Sequence, residues 1–238
     1  MNEPKRRALV LGGTGAVGSA VLAELARAGV PAAFTYHHAE ARARALAEAH
    51  AARPLRLDLV DAAAMGGLAA SLEAEGALPD VVIHCAAIVR PAPVFEATDD
   101  DWEATMAVNA RSVFQVCREF GRRLSGRGGD LVFVSALDRA QSLPVPAVFA
   151  ASQGLVAALV MAAAKDLGPR GVRVNGVALG LLDAGIGKEL DPKLADEYKS
   201  FSALRRLGAP EEAARTITWI ALHNTYMNGK VISANGGI

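Results

Sequence analysis

Strand-length apolar runs alternate with alanine-rich stretches of helical length from one end of the chain to the other. No other feature restricts the fold as strongly. RALVLGG (7–13) reads as a first strand, and AVGSAVLAELARAG (16–29) as a helix closed by Gly29. PAAFTYH, PLRLDL, PDVVIHCAA, GDLVFVSA, VRVNGVALG and KVISA read as six further strands. Between them lie helical stretches, among them one long helix predicted over 99–124, opened by Asp99, Asp100 and Asp101. Such alternation requires right-handed crossovers and a parallel sheet covered by helices on both faces. The expected fold class is therefore α/β, a doubly wound parallel sheet, as a single domain over residues 1–238. The irregular stretch at about 181–209 reads as a lid-like insertion beyond the carboxyl ends of the strands, where such folds shape their ligand crevice.

Charge excludes some partners. Lysines plus arginines number 25 and aspartates plus glutamates 25, so nothing draws the chain to nucleic acid or to an anionic membrane. No stretch is read as approaching the ~20 apolar residues of a spanning helix, and the expectation is a cytoplasmic protein. Cys85 and Cys117 carry no metal-ligand spacing and read as small apolar residues in a reduced compartment; no metal is expected.

The turn GGTGAVG (12–18) lies between the first strand and the first helix, and its Gly13, Gly15 and Gly18 fit G-x-G-x-x-G. In that context glycines permit a tight turn and close backbone approach to a pyrophosphate, with the helix amides facing the anion. The bland alternative is that Gly18 only lets the helix pack on the strand. A reader of NAD would place an acidic residue about 20 residues on. Tyr36, His37 and His38 stand there instead, which leans toward NADP over NAD, unless the histidines are simply exposed in a loop.

Taken with these segments, the chain resembles the short-chain dehydrogenase/reductases, Rossmann-type proteins, and most of all the β-ketoacyl-acyl-carrier-protein reductases. The family's T-G-x-x-x-G-x-G falls on Leu11, Gly12, Ala16 and Gly18, with Gly15 shifted. Its adenine-binding aspartate is matched by Asp58 in LDLVD, and its N-N-A-G by His84, Cys85, Ala86 and Ala87. Its helix asparagine is kept as Asn109, and LRRLGAPEE and NGKVISANGG resemble its C-terminal segments. The resemblance implies cofactor contacts from Gly12, Thr14, Gly15, Val17, Gly18, Tyr36, His37, Asp58, Leu59 and Ala86.

The family's chemistry rests on a serine, a tyrosine and a lysine four residues after the tyrosine, so that both share one helix face. By the same resemblance those places hold Ala136, Phe149 and Gln153, and the threonine that grips the cofactor's carboxamide is matched by Ala184. Ser135 is set aside, because neighbouring strand residues face opposite ways. Asn109 is the one retained member of the catalytic tetrad; His84 and Tyr198 are candidate substitute acids, with Asp138 and Asp183 behind them.

The expectation is a degenerate reductase-like protein, a non-catalytic or non-standard component of acyl-carrier, polyketide or fatty-acid metabolism. The alternatives are an NADPH-dependent 3-oxoacyl reductase with substitute acids, and a dinucleotide sensor. NADP is the favoured cofactor, with no bound dinucleotide as the other case. The expected partners are further copies in a dimer or tetramer, through the helices at about 101–125 and 149–168, or a paralogous reductase or an acyl carrier protein.

Overall fold

The computed structural model describes residues 6–136, 145–189 and 192–238. Asp138 lies outside them. Seven parallel strands form one sheet in the order β3-β2-β1-β4-β5-β6-β7. They are β1 (Ala8–Leu11), β2 (Ala32–Tyr36), β3 (Arg53–Arg56), β4 (Val81–His84), β5 (Gly129–Ser135), β6 (Val172–Leu179) and β7 (Val231–Ala234). The order reverses between β1 and β4, which opens a crevice at their carboxyl ends.

Helices α1 (Ala16–Arg27), α2 (Glu40–His50) and α8 (Pro210–His223) cover one face. They bury Val21, Leu25 and Ile217 against Val10, Ile83 and Val177. Helices α3 (Ala64–Ala74), α5 (Ser112–Leu124) and α6 (Ala147–Leu167) cover the other, where Leu72, Phe120 and Val160 meet Leu9, Leu131 and Val174. Burial on both faces explains why β1 and β4 read as unbroken apolar runs instead of alternating.

Three expectations are refined. The long helix predicted over 99–124 is α4 (Asp99–Met106), a π turn (Ala107–Arg111) and α5 in succession. Its start is a capping box as well as an acidic turn. Thr98 Oγ1 accepts from the Asp101 amide at 3.1 Å, and the Asp101 carboxylate accepts from the Thr98 amide at 3.1 Å. The lid-like stretch carries a 3-10 turn (Gly185–Glu189) and a helix of its own, α7 (Pro192–Phe201). Finally, residues Ala147–Arg170 do reach the length and hydropathy of a spanning helix, at 1.9 over the most apolar window. In the fold this segment is a core helix, with Val156, Val160 and Ala164 packed against the sheet.

The amino end of the sheet is closed by charge. Asp130, 1% exposed, accepts two bonds from Arg173 at 2.7 and 2.8 Å and one from Arg6. A carboxylate so deeply buried is tolerable only because it is paired.

Candidate functional site

The crevice begins at the glycine turn. Gly12 has φ +78°, and a Cβ there would lie 2.7 Å from Ala86 Cα. Ala86 is thus the backbone wall against which the turn closes across the β1–β4 reversal. A Cβ on Gly13 would strike Phe34, and one on Gly18 would come within 2.2 Å of the Gly12 carbonyl oxygen. Gly15, at φ −70° as the N-cap of α1, would meet only the Gly12 carbonyl at 3.3 Å. Glycine is therefore demanded at 12, 13 and 18, a pattern one step away from the 13, 15, 18 spacing read in the sequence. Thr35, which the sequence did not single out, holds the turn by accepting from the Gly12 amide at 3.1 Å through Oγ1 and from the Gly13 amide at 2.9 Å through its carbonyl.

The turn delivers Gly15, Ala16 and Val17 to the crevice wall. The first amides of a helix have no acceptor within it, so the start of α1 offers N–H groups and the positive end of its dipole. Thr14 is half-buried in the same turn. At the end of β2, His37 and His38 are exposed, with ring centroids 3.5 Å apart and ring planes tilted by 38°. His37 Nε2 lies 3.6 Å from Asp58 Oδ2, so the ends of β2 and β3 form one corner. Tyr36 packs on the core beneath it, and Leu59 does so on the other face of the sheet.

The other half of the crevice is a cavity of about 290 Å³. Val134, Val145, Phe149, Leu179, Leu181, Ala184, Ile186 and Leu194 give it an apolar lining. Phe149 and Gln153 share one face of α6 and both are almost fully buried. Gln153 Oε1 accepts from the Ala136 amide at 3.0 Å, tying the end of β5 to α6. Its Nε2 lies 3.4 Å from Ser152 Oγ. Ser135 lines the crevice together with Ala136, although alternation had set it aside; β5 ends at Ser135, so strand alternation does not govern the next residue. The Ser135 hydroxyl faces the Gln153 carbonyl at 3.5 Å.

Asn109, in the π turn, is committed to internal bonds. Its Oδ1 accepts from the Ile88 amide at 2.8 Å, and its Nδ2 donates to the Ile88 carbonyl at 2.8 Å and to Ser152 Oγ at 3.0 Å. His84 is buried and does not appear among the described lining of the crevice. Its Nε2 lies 2.7 Å from Ser112 Oγ, whose hydroxyl is also 2.6 Å from the Val108 carbonyl. Burial depresses the His84 pKa to about 4, so the ring is neutral.

Tyr198 does line the crevice, but its hydroxyl donates to the Asn235 carbonyl at 2.5 Å, and burial raises its pKa. Asp183 is exposed. Cys85, read as filler, reaches the crevice wall with its thiol pushed up to about 12 by burial, so it is neutral.

The glycine turn, the open helix start and the Asp58 corner fit the adenine and pyrophosphate half of a dinucleotide. At the other end, the positions that resemblance gives to the family's serine, tyrosine and lysine hold a methyl group, a phenyl ring and a neutral amide. The polar groups beside them are the Ser135 hydroxyl, the Cys85 thiol, the Tyr198 hydroxyl bonded to Asn235, and Glu189 at the exposed rim.

Comparison with known proteins agrees with this architecture. The family model described as enoyl-(acyl carrier protein) reductase matches residues 13–238. The chain is 27% identical to a 3-oxoacyl-[acyl-carrier-protein] reductase of Chlamydia trachomatis over 98% of its length and 97% of the relative. It is 29% identical to a D-threitol dehydrogenase of Mycolicibacterium smegmatis, covering 97% and 91%. Among solved structures, a short-chain dehydrogenase/reductase from Serratia marcescens superposes with a TM-score of 0.90 at 29% identity, covering 98% and 97%. A short-chain dehydrogenase from Burkholderia cenocepacia, solved in complex with NADP, gives 0.89 at 28% identity over the same shares. The chain belongs to the short-chain dehydrogenase/reductase family of oxidoreductases, close to the 3-oxoacyl-acyl-carrier-protein reductases.

Proposed function

We propose that this protein binds a nicotinamide dinucleotide chiefly through its adenine and pyrophosphate half and has given up the family's ordinary carbonyl reduction. It serves as a non-catalytic or non-standard component of acyl-carrier, polyketide or fatty-acid metabolism. The observation that carries this reading is Gln153. It stands on the crevice face of α6, one turn from Phe149, with its amide oxygen bonded to the Ala136 amide. A neutral amide in that place lowers no phenol's pKa, and Phe149 has no hydroxyl to lower. A bound nicotinamide would supply hydride; Phe149 and Gln153 offer no acid to follow it, and the Tyr198 hydroxyl in the same crevice is already bonded to the Asn235 carbonyl. The loss of a positioned general acid is worth roughly 10²–10⁴ in rate.

Gly12, Thr14, Gly15, Val17 and Gly18 would line the pyrophosphate, with Ala86 behind them. Asp58 and Leu59 would flank the adenine, and Tyr36 and His37 the ribose. With no carboxylate at the end of β2, NADP is preferred over NAD, in keeping with the Burkholderia neighbour's bound NADP. We take the working form to be a dimer or tetramer of this chain. Exposed Trp102 on α4 and Phe114 on α5 lie within the stretch expected at that interface.

The test is a fluorescence titration with NADPH beside a turnover assay on an acetoacetyl thioester. Binding without turnover is the expected result. Turnover at the pace of the family's ordinary reductases would overturn the reading and favour a 3-oxoacyl reductase with substitute acids. Absence of dinucleotide binding would leave a cofactor-free role.

A further inference from the structure

The loop after β3 carries Asp58, and it is gripped from behind by two side chains that neither the family pattern nor the reading above uses. Arg111 Nη2 donates to the Val60 carbonyl at 2.5 Å, and Gln115 Nε2 donates to the Ala62 carbonyl at 2.8 Å. Arg111 is the last residue of the π turn and Gln115 lies one turn on, so the two share a helix face. Val60 is held at both ends. Its amide donates to Asp58 Oδ1 at 2.8 Å while its carbonyl accepts from Arg111. A continuous chain of bonds therefore runs from Arg111 through one residue to the Asp58 carboxylate. It leaves the other carboxylate oxygen, Oδ2, turned toward His37.

The grip is costly as packing. Arg111 Nε and Gln115 Oε1 are both buried without a partner. Such atoms lose their hydration with nothing in exchange, whereas a leucine or methionine in either place would leave no orphan. Gln115 is only 3% exposed, so it is not a surface residue that happens to touch a loop. The π turn supplies the geometry. Asn109 and Arg111 are two positions apart and so project from nearly opposite sides of the helix. Asn109 ties the loop after β4 at Ile88, and Arg111 ties the loop after β3 at Val60. Single π turns inside helices are frequent at functional sites.

We propose that Arg111 and Gln115 are positioning residues that set the orientation of the Asp58 carboxylate, and through it the affinity of the corner between β2 and β3 for an adenosine phosphate. This rests on the dinucleotide reading above for its ligand, but not for the grip itself.

The test uses the full chain with Arg111→Met, Arg111→Lys, Gln115→Leu and Gln115→Glu. The last keeps the size of the side chain but replaces its donor by an acceptor. Two quantities are measured: amide hydrogen exchange across residues 58–63, and affinity for 2′,5′-ADP, a probe without nicotinamide. Arg111→Met and Gln115→Glu are expected to speed exchange at Val60 and Ala63 about tenfold and to weaken 2′,5′-ADP about tenfold, with exchange in β5 and β6 unchanged. Arg111→Lys should recover part of both. If the unaltered chain binds the probe and the variants bind it equally well, the proposal is overturned. A general loosening that includes β5 and β6 would also overturn it, as the mark of a merely structural role. If the unaltered chain binds neither 2′,5′-ADP nor NADPH, the dinucleotide reading fails. Exchange then decides the grip: acceleration confined to 58–63 upholds it, and no acceleration overturns it.

Discussion

The two halves of the crevice are built on opposite terms. Around the glycine turn three positions are dictated by contact inside van der Waals distance: Gly12 on Ala86, Gly13 on Phe34, Gly18 on the Gly12 carbonyl. Beyond Val134 the wall is side chains, mostly apolar, around about 290 Å³ of space. A backbone-built site tolerates almost no substitution, because its shape is the chain itself. A side-chain-built site can change its chemistry while the fold stays put. That difference explains how a chain can keep the family's turn and hold Ala136, Phe149 and Gln153 in its cavity.

The sharpest way to break the contrast is to rebuild the cavity's chemistry. Ala136→Ser, Phe149→Tyr and Gln153→Lys together are expected to raise NADPH-dependent reduction of an acetoacetyl thioester by on the order of 10²–10⁴, the range a positioned acid supplies. Phe149→Tyr alone should give no comparable gain, since Gln153 brings no charge to the phenol. Initial rates under saturating NADPH decide it. Equal rates for the triple variant and the unaltered chain would mean that more than these groups is missing.

The converse test attacks the rigid half. Gly18→Val would force a branched side chain onto a carbonyl 2.2 Å from its Cβ. It is expected to cost about 3 kcal/mol or more, as overpacking against backbone that has nowhere to move. A urea midpoint unchanged from the parent would show that the turn is looser than its contacts state.

His84 sits at the end of β4, buried and bonded to Ser112. Its pKa falls from the ordinary 6.5 to about 4 in the folded chain through burial. The unfolded chain therefore takes up a proton at a pH where the folded chain does not. Stability from this residue is complete above pH ~6.5 and is lost as pH falls toward about 4, by roughly 3 kcal/mol in all. Urea unfolding at pH 7 and pH 4.5, compared with His84→Asn, checks the sign: the variant should lose less stability on acidification.

Inside the cavity, Gln153→Leu is expected to cost roughly 1–3 kcal/mol, because the Ala136 amide loses its acceptor where β5 ends. The effect should appear in thermal unfolding and leave 2′,5′-ADP affinity unchanged, since the adenine corner lies at the other end of the crevice. A fall in that affinity would show that the halves are coupled.

The rigid half was the more legible in sequence. Alternating apolar runs gave the sheet and its two faces, and glycines after a first strand announced the turn. What stayed hidden was whatever depends on long-range partners. His84 and Asn109 are chemically apt for catalysis, and only coordinates reveal that Ser112, Ile88 and Ser152 already occupy them. Tyr198 reads as a candidate acid in the lid until its hydroxyl is found to donate to the Asn235 carbonyl, 37 residues away. Thr35, Arg111 and Gln115 left no local signal, since each acts on a loop remote in the chain. The π turn was invisible for a related reason: its residues suit an α-helix, and the ties at Asn109 and Arg111 accompany the departure from one.

Gly15 gives the smallest effect and the finest test. Spacing put it in the middle of G-x-G-x-x-G, yet its φ of −70° suits any residue, and its Cβ would meet a single carbonyl at 3.3 Å. As N-cap of α1 it carries no side chain to bond the first amides, so alanine removes no bond there. Gly15→Ala is expected to cost under about 1 kcal/mol, the scale of a poor N-cap, and to keep NADPH affinity within about threefold. The contrast with Gly18, three residues away, isolates sterics from motif. If Gly15→Ala instead lost NADPH tenfold with its stability intact, the added methyl would be blocking the ligand itself. Position 15 would then be reserved for the pyrophosphate's approach, and not for the fold.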